Sequence, residues 1–348
     1  MKFEIKTVTI LMYAALAFAL GSCTKKTITP AEDPQPAEVG FTASSQAVWV
    51  KGGETPTTSF PYDNFGVWGI ARQEVDGFIY NLWGNNALAE VSKNDDTKLY
   101  EPTIAAYWVS GYAYNFLAVA PYDDEGFSSF DVTTKEEQTG VNNASDYMSF
   151  TYDISDKYND DEYTFNLLGA AAETSVATGG YSDSQKLMFW HLFAQINIKV
   201  TLKDANGQVT GVVSKISLRN VDSMASYAIG GNEDELVVSV SPIVNNAQKE
   251  ILFSGNLNEV TKTLHILPQN ISDFKLYIDY TIGEGNAAVS FQDYEVNLNV
   301  DGNPSQYNFN GKYNWNITIG PKNAISFQVE VAPWGEVDVN DDAPIEII

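Results

Sequence analysis

The sequence has almost no cysteine: Cys23 is the only one in 348 residues. A chain with one thiol cannot form an internal disulfide, so packed cores alone must hold it together. Histidine is nearly as scarce. His191 and His265 stand more than 70 residues apart, in the apolar contexts "FWHLF" and "TLHILPQ", where a strand histidine more often satisfies a backbone carbonyl than works as an acid or base. One cysteine and two distant histidines leave little material for a zinc site. The GxxxxGK[ST] phosphate loop and the GxSxG nucleophile elbow are both missing. "DANG" at 204–207 opens like a calcium loop, but the twelfth position from Asp204 is Lys215, where a bidentate glutamate is required. It reads instead as a hairpin turn between a strand at 194–202 and the next at about 208–218. The acidic clusters "YNDDEY" at 158–163 and "VNDDAP" at 339–344 read as solvated loops. No catalytic residue, metal site or cofactor is therefore expected, and the chain does not read as an enzyme.

Basic charge is also in short supply, with 20 Lys and Arg against 45 Asp and Glu, a net charge of −25. Such a surface repels nucleic acid and anionic head groups. Long apolar runs are missing after the N-terminus, where Lys2 and Lys6 precede an uncharged segment from Thr7 to Leu20. That segment is too short to span a bilayer core of ~30 Å and reads as an export signal over 1–22. Leu20, Gly21, Ser22 and Cys23 then resemble a bacterial lipobox, in which the cysteine sulfur takes the diacylglycerol and becomes the first residue of the mature chain. The expectation is a palmitate-bearing lipoprotein whose only membrane attachment is the lipid at Cys23. Removing residues 1–22 leaves 326 residues with a net charge of −26.

What is abundant is strand and turn material: 19 Tyr, 18 Phe and 7 Trp, with many Thr, Val, Asn and Gly. Residues 23–38 carry three prolines and no aromatic, the composition of an extended tether. Beyond it, apolar residues alternate with period two at Ile196, Ile198, Val200 and Leu202; at Tyr294, Val296, Leu298 and Val300; at Tyr313, Trp315, Ile317 and Ile319; and at Ile325, Phe327, Val329 and Val331. Each set is one buried face of a strand. "NALAEVS" at 86–92 could make two helical turns at most. The clearest break is "AETSVATGGYSDS" at 172–184. The pattern predicts an all-β chain of two tandem antiparallel β-sandwich domains, 39–184 and 185–348, the second ending in a short tail. Trp49, Trp68, Trp83 and Trp108 are numerous for one domain, and exposed tryptophans can stack on sugars. An outer-membrane surface lipoprotein that binds glycans is the alternative expectation.

Several segments together resemble the fimbrillin (Mfa-like) family, lipoprotein-derived subunits of type V pili in Bacteroidia. They are "VGFTASS" opening the fold, "FPYDNFGVWGIA" at 60–71, "YNFLAVAPYDD" at 114–124, "ASDYMSFTY" at 144–152, "LMFWHLFAQINIKVTL" at 187–202, "LHILPQN" at 264–270, "FNGKYNWNITIG" at 309–320 and "VEVAPWGEV" at 329–337. The resemblance implies two transthyretin-like sandwiches, exported as a lipidated precursor and displayed on the cell outer membrane as part of a fimbrium with a role in adhesion. It implies partners as well: other pilus subunits, the outer membrane through the lipid, and a host or bacterial surface ligand. In such pilins a trypsin-like protease cuts after the first strand, the strand leaves, and a neighbour's C-terminal segment fills the groove. Here the processing site falls on Lys51, in "VKGG", where the family commonly has arginine; the only arginines are Arg72 and Arg219. The donor strand falls on Val337, Val339, Ile345 and Ile347.

Overall fold

The computed structural model describes residues 37–48, 57–73, 75–84, 87–122, 124–139, 145–155, 166–176, 184–202, 210–232, 235–243, 247–252, 259–273, 275–300, 302–320 and 325–333. Among them there is no α-helix, and the helical turns, such as Ile271–Asp273 and Gly285–Ala287, are short and of 3-10 type. The chain is all-β. Its first strands are β1 (Phe41–Val48), β2 (Thr57–Ser59), β3 (Asn64–Gln73), β4 (Ile79–Asn81), β5 (Ala89–Lys93) and β6 (Tyr100–Pro102). There follow β7 (Tyr112–Ala120), β8 (Phe127–Thr133), β9 (Tyr147–Asp153), β10 (Leu168–Val176), β11 (Gln185–His191) and β12 (Ala194–Leu202). Next are β13 (Gly211–Val221), β14 (Met224–Gly231), β15 (Leu236–Ile243), β16 (Ala247–Leu252), β17 (Glu259–Ile266) and β18 (Gln269–Asn270). The last are β19 (Lys275–Ile282), β20 (Val289–Val296), β21 (Gln306–Tyr307), β22 (Gly311–Ile319) and β23 (Ile325–Pro333).

The largest sheet closes on itself. Its hydrogen bonds run β11-β10-β7-β3-β5-β6-β1, and β1 pairs back onto β11, with β2 beside β1 and β4 beside β3. The closed sheet encloses a core of Phe41, Phe65, Phe116, Trp108, Tyr114, Leu187, Phe189 and their neighbours. Its outer face is covered too: Trp68, Ile70, Leu117, Val119 and Ala171 belong to a second, larger core that continues into the C-terminal half. This is why β3, β7 and β10 read as nearly unbroken apolar runs, since a strand buried on both faces has no polar side to show. Successive residues of β3 face opposite ways, Phe65, Val67 and Ala71 into the closed sheet and Trp68 and Ile70 outward into the second core.

Three four-stranded sheets, β17-β12-β22-β23, β16-β13-β19-β20 and β15-β14-β9-β8, surround the larger core. Among the described residues pairing is antiparallel apart from two parallel seams, β1 with β11 and β12 with β22. The expected inward set of β12 is buried from Ile196 to Leu202, as is that of β22 from Tyr313 to Ile319. At the sheet edge, β23 buries Phe327 but exposes Val331. The alternation expected through Val300 holds, but the strand itself stops at Val296.

Two expectations need correction. The strands on either side of "DANG" do not pair as a hairpin: β12 has β17 and β22 on its two edges, and β13 pairs with β16 and β19 in another sheet. Residues 89–93 form β5 rather than helical turns, because β3 and β6 supply partners on both sides. Hydrogen bonding also crosses position 184, at β1 with β11 and at β9 with β14.

Candidate functional site: the seat of the first strand

The opening segment "VGFTASS" alternates from Val39, and the alternation places its side chains. Val39, Phe41 and Ser45 point into the closed sheet and are buried, while Thr42 faces solvent. Phe41 is fully covered. Its ring meets Phe116 edge-on at 5.2 Å and Phe65 at 6.0 Å, with Trp83 at 6.5 Å. Burying one phenylalanine contributes about 1.5–3 kcal/mol, and edge-to-face ring pairs add to it.

The backbone of this segment is held from both sides. On one, Phe41 to Ser45 lie in parallel register with Gln185 to Phe189 of β11. On the other, the partners change along its length. The Val39 amide donates to the Ala106 carbonyl at 2.8 Å and the Trp108 amide to the Ala37 carbonyl at 2.9 Å. Phe41 pairs with Tyr100 of β6, and Ser44 and Val48 with Ser59 and Thr57 of β2. Residues 37–48 thus form the stave that completes the closed sheet. Without it, the edges of β11, β6 and β2 would lose their partners, and the pocket lined by Phe65, Phe116 and Trp83 would open to water.

The two arginines are both committed elsewhere. Arg72, at the end of β3, makes two bidentate pairs. Its Nε and Nη2 donate to Glu136 at 2.7 and 2.8 Å, and its Nη1 and Nη2 to Asp146 at 2.8 and 2.6 Å. Asp146, only 1% exposed, also accepts from the Lys135 amide and from Asn115 Nδ2, each at 2.8 Å. Burial opposes the charge on Arg72, but its hydrogen bonds to Glu136 and Asp146 outweigh that effect and hold the guanidinium above its ordinary range. Arg219 lies 4.1 Å over the Tyr277 ring and pairs with Asp293. A protease that needs an extended, accessible basic residue finds neither of them free.

The same cluster makes the fold acid-sensitive. The hydrogen bond from Arg72 is the largest influence on Glu136 and holds its carboxyl below the usual carboxylate range, against a smaller opposing effect of burial. A depressed folded value means that the stabilisation is complete above the unfolded glutamate pKa of about 4.3 and is lost as pH falls through the folded one. The midpoint of thermal unfolding should therefore be level above about pH 5 and fall below about pH 4, and Glu136→Gln should flatten part of that fall. An acid slope identical in the variant and the wild type would contradict the pairing.

Cys23, Lys51, Val337, Val339, Ile345 and Ile347 lie outside the described residues, as do Trp49, the segment 1–22 and the tether up to Pro36. In sequence, Lys51 falls between the end of β1 at Val48 and the start of β2 at Thr57. Among the other tryptophans considered for sugar stacking, Trp68 and Trp108 are buried. Trp83 is half-buried and its indole N–H donates to the Ile104 carbonyl at 2.8 Å. A polar cavity of about 410 Å³ beside Arg72, lined by Asn115, Lys135, Glu173, Ser175 and others, contains no tryptophan. His191 and His265 are buried, the latter stacked on Phe193. Among the described residues no group of three or more His, Cys, Asp or Glu is arranged to hold a metal ion, and no helix is long and apolar enough to cross a membrane. Val39 and Phe41 are site residues that no motif marks, and their alternation in "VGFTASS" is the signal that finds them.

The fimbrillin-like family matches residues 56–334, and the chain belongs to that family. Membership makes it a cell-surface subunit of the pilus or adhesin kind. Among solved structures it is similar to a fimbrial assembly protein from Parabacteroides distasonis, at 11% identity and a TM-score of 0.40, covering 86% of this chain and 98% of that one. It is also similar to the tip fimbrial protein Mfa3 from Porphyromonas gingivalis with C-terminal truncation, at 10% identity and a TM-score of 0.39, covering 86% and 100%. The curated proteins contain no sequence match.

Proposed function

We propose that the protein is a structural, non-enzymatic pilus subunit that polymerises by exchanging its first strand. It is exported, acylated at Cys23 and carried to the outer membrane as a lipoprotein. A trypsin-like protease then cuts after Lys51 and β1 leaves together with its lipid. The C-terminal segment of a neighbouring subunit, with Val337, Val339, Ile345 and Ile347 as its apolar side chains, fills the vacated seat by strand addition. The resulting fimbrium serves adhesion to a host or bacterial surface.

The observation that carries this reading is the seat itself. The stave completing the closed sheet is the first strand of the fold, and a single cut between Val48 and Thr57 severs its covalent link to the strands that follow. Main-chain hydrogen bonds and inward apolar side chains hold it, and another strand can supply both. The test is Lys51→Gln. The variant should remain folded, lipidated and monomeric, while the wild type treated with a trypsin-like protease should begin at Gly52 and form ladders on an unheated gel. A product cut at Lys51 that stays a stable monomer would sink strand exchange.

A further inference from the structure

Ten large apolar residues are exposed among the described residues, and six of them fall in the β3–β4 and β6–β7 connections or at the first residue of β4: Val75, Phe78, Ile79, Ile104, Tyr107 and Val109. Val75 and Ile104 are 86% and 66% exposed. Both connections stand at the end of the closed sheet where residues 37–39 enter it. The β3–β4 turn is closed by the Gln73 amide on the Phe78 carbonyl at 2.7 Å, with Gly77 at φ +66°. Trp83, just after β4, is tied to the Ile104 carbonyl. The segment from Ala106 to Trp108 hydrogen-bonds directly to Ala37 and Val39, and Tyr107 forms a bridge with Glu38. The mouth of the β1 seat therefore carries an apolar rim, a feature that marks interaction surfaces.

The spacing between the body and the proposed donor residues indicates what covers it. Residues 334–348 number 15. If they fill the seat of a neighbour in the direction of β1, keeping the parallel ladder with β11, two of their apolar side chains must take the places of Val39 and Phe41. Val337 and Val339 in those places leave one residue between Pro333 and the mouth; Ile345 and Ile347 leave nine. Nine residues reach roughly 30 Å at full extension, so the donor's body is held close to the mouth that its tail enters. We infer that the rim of Val75, Phe78, Ile79, Ile104, Tyr107 and Val109 is the surface on which the body of a second copy of this chain docks. The inference rests on the strand-exchange reading and adds the body-to-body contact to it. Burying the rim makes assembly of whole subunits stronger than binding of the tail alone.

The test compares the wild type with the triple variant Val75→Ser, Phe78→Ser, Ile104→Ser, and with Val75→Ser alone as a variant at a nearly fully exposed site. Each is cut by a trypsin-like protease, then given either whole subunits or a synthetic peptide of residues 334–348. The expected result is unchanged peptide binding in all three, with assembly of whole subunits at least tenfold weaker in the triple variant and measurably weaker in the single one. Equal assembly of variant and wild type would overturn the docking surface while leaving strand exchange standing. A wild type that takes neither peptide nor subunit overturns both. Binding of the uncut wild type to phosphatidylcholine vesicles, lost in the triple variant, would assign the rim to a lipid surface and overturn the inference as well.

Discussion

Ile198→Asp is expected to unfold the C-terminal half of the chain. Ile198 is fully buried on β12, which has β17 on one edge and β22 on the other, with Trp315 in register across the parallel seam. A carboxylate there has no room for water and no designed partner, at a cost of several kcal/mol. Whole domains are stable by only about 5–15 kcal/mol, so one such change takes a large share of the total. Because the core that contains Ile198 continues to Trp68 and Leu117 on the outer face of the closed sheet, the damage should spread to that sheet. Thermal melting followed by tryptophan fluorescence checks this; an unchanged midpoint would mean that the inward face of β12 has been assigned the wrong way round.

Phe41→Ala should loosen the first strand while leaving the other strands paired. The substitution removes a ring packed against Phe65, Phe116 and Trp83, and large-to-small changes at such sites cost about 3–5 kcal/mol. Among the described side chains of the strand, the other inward residues are a valine at its entry and the small Ala43 and Ser45, which resist departure less than the ring does. Amide exchange over residues 41–45 should rise by about two to four orders of magnitude, since about 1.4 kcal/mol corresponds to a factor of ten, and release of the strand after cutting should quicken. Thr42→Ala, on the solvent side, should change neither. Protection unaltered by Phe41→Ala would mean that the strand is held by its ladders and not by its knob.

How far the sequence predicts this fold depends on how many faces of each strand are buried. β12 and β22 have one face in the core and one toward polar groups, and their alternation reads directly from Ile196 to Leu202 and from Tyr313 to Ile319. β3, β7 and β10 are buried on both faces, so period two vanishes and "NFGVWGIA" gives no orientation; only the three-dimensional arrangement tells Trp68 from Val67. Partner choice is not local at all. "DANG" has hairpin chemistry, yet β12 finds its neighbours some 60 and 120 residues further along. That edge competition is settled by burial of the whole sheet, not by turn residues. The seat was half legible: the alternation of Val39 and Phe41 is plain in the sequence, but the parallel seam with β11 that closes the sheet is not. Arg72 stands out in the sequence as one of only two arginines, but the Glu136 and Asp146 carboxylates that immobilise it come from segments over 60 residues away.

In the strand-exchange reading the first strand, with its lipid, is a removable part. The N-terminal residue of the protein recovered from the cell surface decides this. Gly52 is expected, with no acyl group on the surface-assembled chain. A surface protein that still begins at acylated Cys23 and retains residues 37–48 would contradict it.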